Sequence, residues 1–162
     1  MTETRDTAGV VAPPPLIALG AVLLGIALDR LMPAYVLTVL LSRDVRIGVG
    51  ILLIAAGLAL GFSGRRTFVR VGTNVNPFKP STILVTTGAY AYLRNPMYVG
   101  LELMVAGIGI ALASDWMIVM LVGAALLIHF GVVKREERYL EAKFGDSYRR
   151  YMDAVPRYGV PL

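Results

Sequence analysis

The stretch "MYVGLELMVAGIGIALASDWMIVMLVGAALLIHFGVV", residues 97–133, decides the fold. Glu102, Asp115 and His129 are its only acidic, basic or histidine residues. It divides into two apolar runs, 97–113 and 116–133, each near the short end of what crosses a hydrocarbon core of about 30 Å. The break at Ser114 and Asp115, followed by Trp116 as an interfacial aromatic, predicts a tight helical hairpin inside a membrane.

Two earlier runs, 16–31 and 47–62, are equally apolar. Snorkelling ends such as Arg65 and Arg66, or Lys134 and Arg135, lengthen these short spans. The 162 residues are 56% hydrophobic and only 17% charged, displaced from the balance of soluble domains. A soluble bundle of buried helices needs more polar sequence to cover it than the chain supplies. The expected fold is therefore all-α: an integral membrane protein with about four transmembrane helices, an ordered cytoplasmic loop and a C-terminal cytosolic helical extension.

The net charge is +5, and its placement excludes nucleic acid as the partner. Between residues 65 and 96 stand Arg65, Arg66, Arg70, Lys79 and Arg94 with no acid, and the tail carries Lys134, Arg135, Arg138, Lys143, Arg149, Arg150 and Arg157. The turn between the last two spans carries no positive charge. The positive-inside rule then makes the loop, the tail and both termini cytoplasmic, with the charge facing anionic headgroups. The expected setting is a prokaryotic inner (cytoplasmic) membrane. There is no cysteine, which excludes disulfides, thiolate metal sites and a cysteine nucleophile; the lone His129 builds no zinc site, and no metal is expected.

Residues 1–15 read as a flexible tail with mixed charge and three prolines, lacking the pattern of a signal peptide. Residues 16–162 read as one domain. Pro33 and its apolar neighbours suggest a segment at the outer interface. Gly57 and Gly61, four apart, suit close helix packing. The central loop, 66–96, is long for a loop without function, and its apolar Phe78, Ile83, Leu84, Val85, Tyr90, Tyr92 and Leu93 predict an ordered cap. After the fourth span, the periodicity of Val133, Glu137, Leu140 and Phe144 continues the helix outward, and Gly145 predicts its stop before a short further helix.

Asn95–Pro96 is a helix-start signal: Asn is a favoured N-cap and Pro suits the first helical position. With Arg94 beside it, the start offers free N–H groups and positive charge to an anion. Glu102 lies about 9 Å deeper along that helix, and an ionisable group at that depth is a functional candidate; a buried ion pair or a hydrogen-bonded neutral Glu is the structural alternative. Glu136, Glu137, Tyr139, Tyr148 and Tyr151 follow the fourth span. By pattern alone they also fit a solvated charged helix.

Taken together, "NPFKPSTILVTTGAYAYLRNPMYVG" and "EERYLEAKFGDSYRRYMDAVPRY" resemble the membrane methyltransferase family of isoprenylcysteine carboxyl methyltransferases, and more loosely phospholipid N-methyltransferases. The matching positions are Gly88, Tyr90, Arg94, Pro96, Tyr98 and Gly100, then Glu136, Glu137, Leu140, Phe144, Gly145, Tyr148, Tyr151, Val155 and Arg157. Asn95 replaces the usual His and Ala89 the usual Pro, so a histidine base is absent at that point. The resemblance implies S-adenosyl-L-methionine as cofactor, with S-adenosylhomocysteine as product, held by residues about 72–100 and 129–158. Tyr90, Arg94, Asn95, Pro96, Tyr98, Gly100, Glu136, Glu137, Tyr148 and Tyr151 are the implied cofactor residues. Arg94, Glu102, Glu137 and Arg157 are the candidates for catalysis: an arginine to orient a carboxylate acceptor, a glutamate to deprotonate an amine. The acceptor is expected to be a lipidic or amphiphilic small molecule entering from the bilayer. No dinucleotide fingerprint follows a strand. A membrane reductase using NADPH and a non-enzymatic scaffold or transporter are the competing readings, and nothing in the sequence specifies an oligomeric state.

Overall fold

Four long helices run alternately up and down between a loop-bearing end and a far end in the computed structural model, which describes residues 6–159. In chain order the elements are α1 (Pro14–Leu31), α2 (Val36–Leu40), α3 (Arg43–Val71), a 3₁₀ turn (Gly88–Ala91), α4 (Pro96–Leu112), α5 (Asp115–Ile128), a π-helical turn (His129–Val133), α6 (Lys134–Phe144) and α7 (Asp146–Ala154). No strand occurs among the described residues.

Three runs, Pro14–Leu31, Arg43–Val71 and Asp115–Phe144, are long and apolar enough to cross a membrane, and the apolar Pro96–Leu112 makes the fourth helix. Leu23, Ile51, Leu52, Phe62, Val122 and Phe130 point outward from them, as bilayer-facing side chains do. The Asp115–Phe144 run has 30 residues. It rises about 45 Å, well beyond a core of about 30 Å, so its charged portion from Lys134 onward projects past the membrane. Helix α3 is likewise longer than the expected 47–62 span. It carries Arg65, Arg66 and Arg70 on helix rather than loop, and ends where Gly72 takes a left-handed φ of 71°.

Contact between α3 and α4 rests on glycine, in a register the sequence reading missed. The buried residues of α3 are Gly50, Gly57 and Gly64, seven apart, and they meet Gly107, Gly100 and Met97 of α4. A Cβ on Gly57 would lie 2.5 Å from the Gly100 carbonyl oxygen, and one on Gly107 would lie 2.6 Å from that of Gly50. A Cβ on Gly61 meets nothing within 4 Å. Gly100 lies against the backbones of both Gly57 and Gly61, a Cβ on it falling 2.7 Å from the Gly57 carbonyl oxygen and 2.9 Å from Gly61 N, but the positions that need glycine on α3 repeat every seven residues.

At the far end, the predicted hairpin turn is also a tie to the segment after α1. Both Asp115 carboxylate oxygens accept backbone N–H groups at the start of α2, from Val36 and Leu37, at 2.9 Å each. The Ser114 hydroxyl donates to Asp29, and Trp116 Nε1 donates to the Met32 carbonyl at 2.6 Å.

At the loop-bearing end, residues 6–13 lie packed although the sequence placed them in a flexible tail. Val10 is buried with Ile128, Val132 and Val133, and Val11 N–H donates to the Gly131 carbonyl at 3.1 Å. The reason is Val10, whose side chain is buried beside the π turn, while Val11 stays half-exposed and holds on through its backbone.

Candidate functional site

The third-span helix begins at a seam. Pro96 occupies the first turn of α4, as expected, but the Asn95 side chain makes no capping bond. Its Nδ2 donates instead to the Arg157 carbonyl at 3.2 Å, and Arg94 N–H donates to the Pro156 carbonyl at 3.0 Å. The C-terminal "VPR" segment is thus stitched to the start of α4 through backbone groups.

That seam delivers Arg157 to α6. Its guanidinium donates to both Glu137 oxygens, Nε at 2.8 Å and Nη2 at 2.7 Å. Arg94 Nη1 lies 3.1 Å from the same carboxylate, with the side chains of Arg94 and Glu137 only 10% and 11% exposed. Glu137 therefore sits between two guanidiniums. Arg94 Nη1 meets Glu137 as an ion pair, while Arg94 Nε has no acceptor among the described residues, so Arg94 carries donor capacity that the protein does not use up.

Glu136, one position earlier and about 100° around the helix, points elsewhere. Tyr98 donates to it at 2.8 Å. Burial pushes its carboxyl up to about 7 against the Tyr98 bond, which favours the charged form, while the neighbouring Glu137 charge adds to the rise.

The π turn sets this pair. One extra residue per turn shifts the register of everything beyond it; α6 thereby presents its two carboxylates to α4 and the tail seam rather than continuing the face of α5. Simple 3.6-residue periodicity, the basis of the sequence reading, carries no sign of the insertion.

Between α4, α6, α7 and the central loop lies one hollow of about 820 Å³, open mouth included, whose walls include Tyr90, Arg94, Asn95, Tyr98, Glu136, Glu137, Tyr148 and Tyr151. Tyr148 and Tyr151 pack with Val155, Leu84 and Leu140, and the Tyr151 hydroxyl donates to the Tyr90 carbonyl at 2.7 Å. Burial raises all three of the Tyr90, Tyr148 and Tyr151 hydroxyls above the ordinary phenol range, so they stay neutral near neutral pH.

Four expected site residues lie outside that wall. Pro96 is fully buried as the helix start. Gly100 is the backbone contact with Gly57. Arg157 reaches the site only through Glu137. Glu102, one turn deeper than Tyr98, lies apart from the hollow among Leu101, Val105, Leu121, Ala124 and Ile128, which leave no room for a water beside it.

The sequence reading made the loop a cap, with Leu84 among its packing residues and Tyr90, Arg94 and Asn95 as its site residues, but it did not name the polar wall: Asn74, Asn76, Lys79 and Ser81 line the hollow beside Leu84, with Phe68 of α3 and Tyr139 of α6. A signal was present in "NVNPFKP". Asn76 Oδ1 accepts Phe78 N–H at 2.9 Å and Asn74 Nδ2 donates to the Pro80 carbonyl at 2.8 Å, the local bonds that Asn residues supply to ordered turns.

Comparison with known proteins points the same way. The family profile described as phospholipid methyltransferase matches residues 45–147. The chain is 40% identical over 81 residues to the protein-S-isoprenylcysteine O-methyltransferase of Schizosaccharomyces pombe, covering 49% of this chain and 34% of that protein. It is 54% identical over 33 residues to an uncharacterized protein of Haemophilus influenzae, covering 20% of this chain and 52% of that one. The chain thus spans about a third and about half of the lengths of these two relatives. No solved structure matches.

Proposed function

The chain belongs to the phospholipid methyltransferase family, whose profile covers residues 45–147, and on that premise we propose that it transfers a methyl group from S-adenosyl-L-methionine to an amphiphilic acceptor at the membrane. The observation that carries this reading is the hollow between the α4 start and α6, walled by tyrosines, two carboxylates and an arginine with an unused donor at Nε.

The residues present fit the cofactor's chemistry. Arg94 suits its carboxylate. Glu136 suits its ammonium or ribose hydroxyls, since Glu137 is already engaged by two guanidiniums. Tyr90, Tyr98, Tyr148 and Tyr151 supply aromatic surface for adenine and for a cation. When bound, the cofactor supplies an electrophilic methyl group on a sulfonium, so the protein's part is alignment and exclusion of water. Glu137 and Arg157 hold Arg94 in place for that task. A carboxylate acceptor needs no base. An amine acceptor needs one, and Glu102, which does not border the hollow, serves only an acceptor that enters between α1, α4 and α5. The basic loop and tail support a cytoplasmic position for the hollow.

Calorimetric titration of the detergent-purified chain with S-adenosylhomocysteine and, separately, NADPH tests the reading. Binding of the first alone is expected. Binding of NADPH alone selects a reductase, and silence toward both selects a scaffold or transporter.

A further inference from the structure

Ala8 is one wall of the hollow, and it belongs to a segment held in two quite different ways. On the bundle side the hold is firm: Val10 is buried and Val11 N–H is bonded to Gly131. A Cβ on Gly131 would lie 2.6 Å from Val11 Cγ2, so glycine there is what lets the segment lie flat. On the outer side the hold is light. Asp6 accepts from Lys143 Nζ at 2.6 Å and from the Tyr139 hydroxyl at 2.8 Å, and the Asp6 side chain stays 53% exposed. Between the two holds sits Gly9, at φ +59° with nothing within 4 Å of a Cβ; Arg135 Nη1 reaches its carbonyl at 2.8 Å.

The opposite bank of the mouth meets the same latch. Ser81 N–H, from the central loop, donates to the Tyr139 hydroxyl at 3.1 Å. One phenol therefore ties the N-terminal segment and the loop together, and both line the hollow. Exposed ion pairs of this kind contribute little and weaken with salt, so the latch is suited to opening while Val10 and Val11 stay docked.

We propose that residues 6–9 form a strap hinged at Gly9 and latched by Tyr139 and Lys143, which opens and closes the mouth of the hollow. The proposal rests on the reading of the hollow as a nucleoside site for its ligand, though not for its motion. A polar ligand that must enter from water and then be shielded from it requires such an element.

The absence of native cysteine makes the motion measurable on the full chain in detergent. Leu84→Cys places one thiol in the hollow, and its maleimide labelling rate reports mouth opening without any ligand. Tyr139→Phe removes the bonds to Asp6 and Ser81, and Asp6→Lys those to Tyr139 and Lys143, so each is expected to speed labelling at least about fivefold, the population shift that loss of one ordinary hydrogen bond already gives. The swap Asp6→Lys with Lys143→Asp is expected to restore the starting rate, and raised salt to speed labelling only where the latch is intact. S-adenosylhomocysteine dissociation should follow the same order. Equal labelling rates across all variants, at unchanged melting temperature, would overturn the strap. Labelling that follows the order while S-adenosylhomocysteine binds none of the proteins upholds the strap and removes the nucleoside as its ligand.

Discussion

Arg157 grips Glu137 with both prongs of its guanidinium, at 2.8 and 2.7 Å, across 20 residues of chain. This pair closes the C-terminal segment onto α6 and fixes the carboxylate that steadies Arg94. Removing one partner of a buried pair costs more than the pair contributes, because the other charge is stranded. Glu137→Gln leaves two guanidiniums facing a neutral amide. The expected loss is about 2–4 kcal/mol, reduced from the fully buried case by the partial exposure of Arg157. That corresponds to roughly 5–15 °C in melting temperature. Arg157→Lys, which cannot fork, should fall in between. A Glu137→Gln protein that melts with wild type would contradict this role.

Arg94→Ala is expected to weaken S-adenosylhomocysteine binding at least tenfold, about 1.4 kcal/mol. Arg43→Ala, at the far end of α3, should leave it unchanged. The comparison is made by titration calorimetry on both variants, and similar losses in the two would remove Arg94 from the site.

The pH dependence of stability should carry the mark of Glu136. Its carboxyl is raised from 4.5 to about 7 in the folded chain. Below about 4.5 the group is protonated folded or unfolded and contributes no pH slope. Between 4.5 and 7 the unfolded chain ionises first, so stability falls as pH rises, levelling off above 7 with a total of about 3 kcal/mol at most. Glu136→Gln should flatten that window. Tyr98→Phe, which removes a bond favouring the charged form, should extend it upward. Melting curves from pH 4 to 8 give the answer, and a slope that survives Glu136→Gln assigns it elsewhere.

The glycine register gives opposite expectations for two neighbours. In a helix, Gly→Ala gains about 1 kcal/mol of propensity. At Gly61 nothing opposes the gain, so Gly61→Ala should be neutral or stabilising. At Gly57 the new methyl meets the Gly100 carbonyl at 2.5 Å, and overpacking of about 1–3 kcal/mol should win. Equal melting temperatures for the two variants would refute the seven-residue contact.

Asp115→Ala removes the acceptor of two N–H groups at the start of α2 and should cost about 0.5–2 kcal/mol. Because α2 is a single short turn, the loss should appear first as faster proteolysis between residues 32 and 42, with the hollow's ligand affinity unchanged.

How much was legible in the sequence divides along a physical line. Properties set by neighbours along the chain could be read. These are the four apolar runs that became helices, the Ser114–Asp115 turn and the stop at Gly145. The resemblance also placed Arg94, Glu136, Glu137, Tyr90, Tyr98, Tyr148 and Tyr151 in one region, and the fold gathers them around one hollow.

Only the tertiary structure decided which of those groups are free. It gave Glu137 to two arginines and left Glu136 facing the hollow with Tyr98. It took the Asn95 amide for the Arg157 carbonyl, and it set Gly100 against Gly57 instead of a ligand. It also laid residues 6–13 across the bundle. Each of these outcomes depends on the angle between helices or on the extra residue of the π turn. Hydrophobic pattern fixes that a segment is a helix and which medium surrounds it; the rotation of one helix against another is settled by contacts between residues distant in the chain, and local pattern does not encode them.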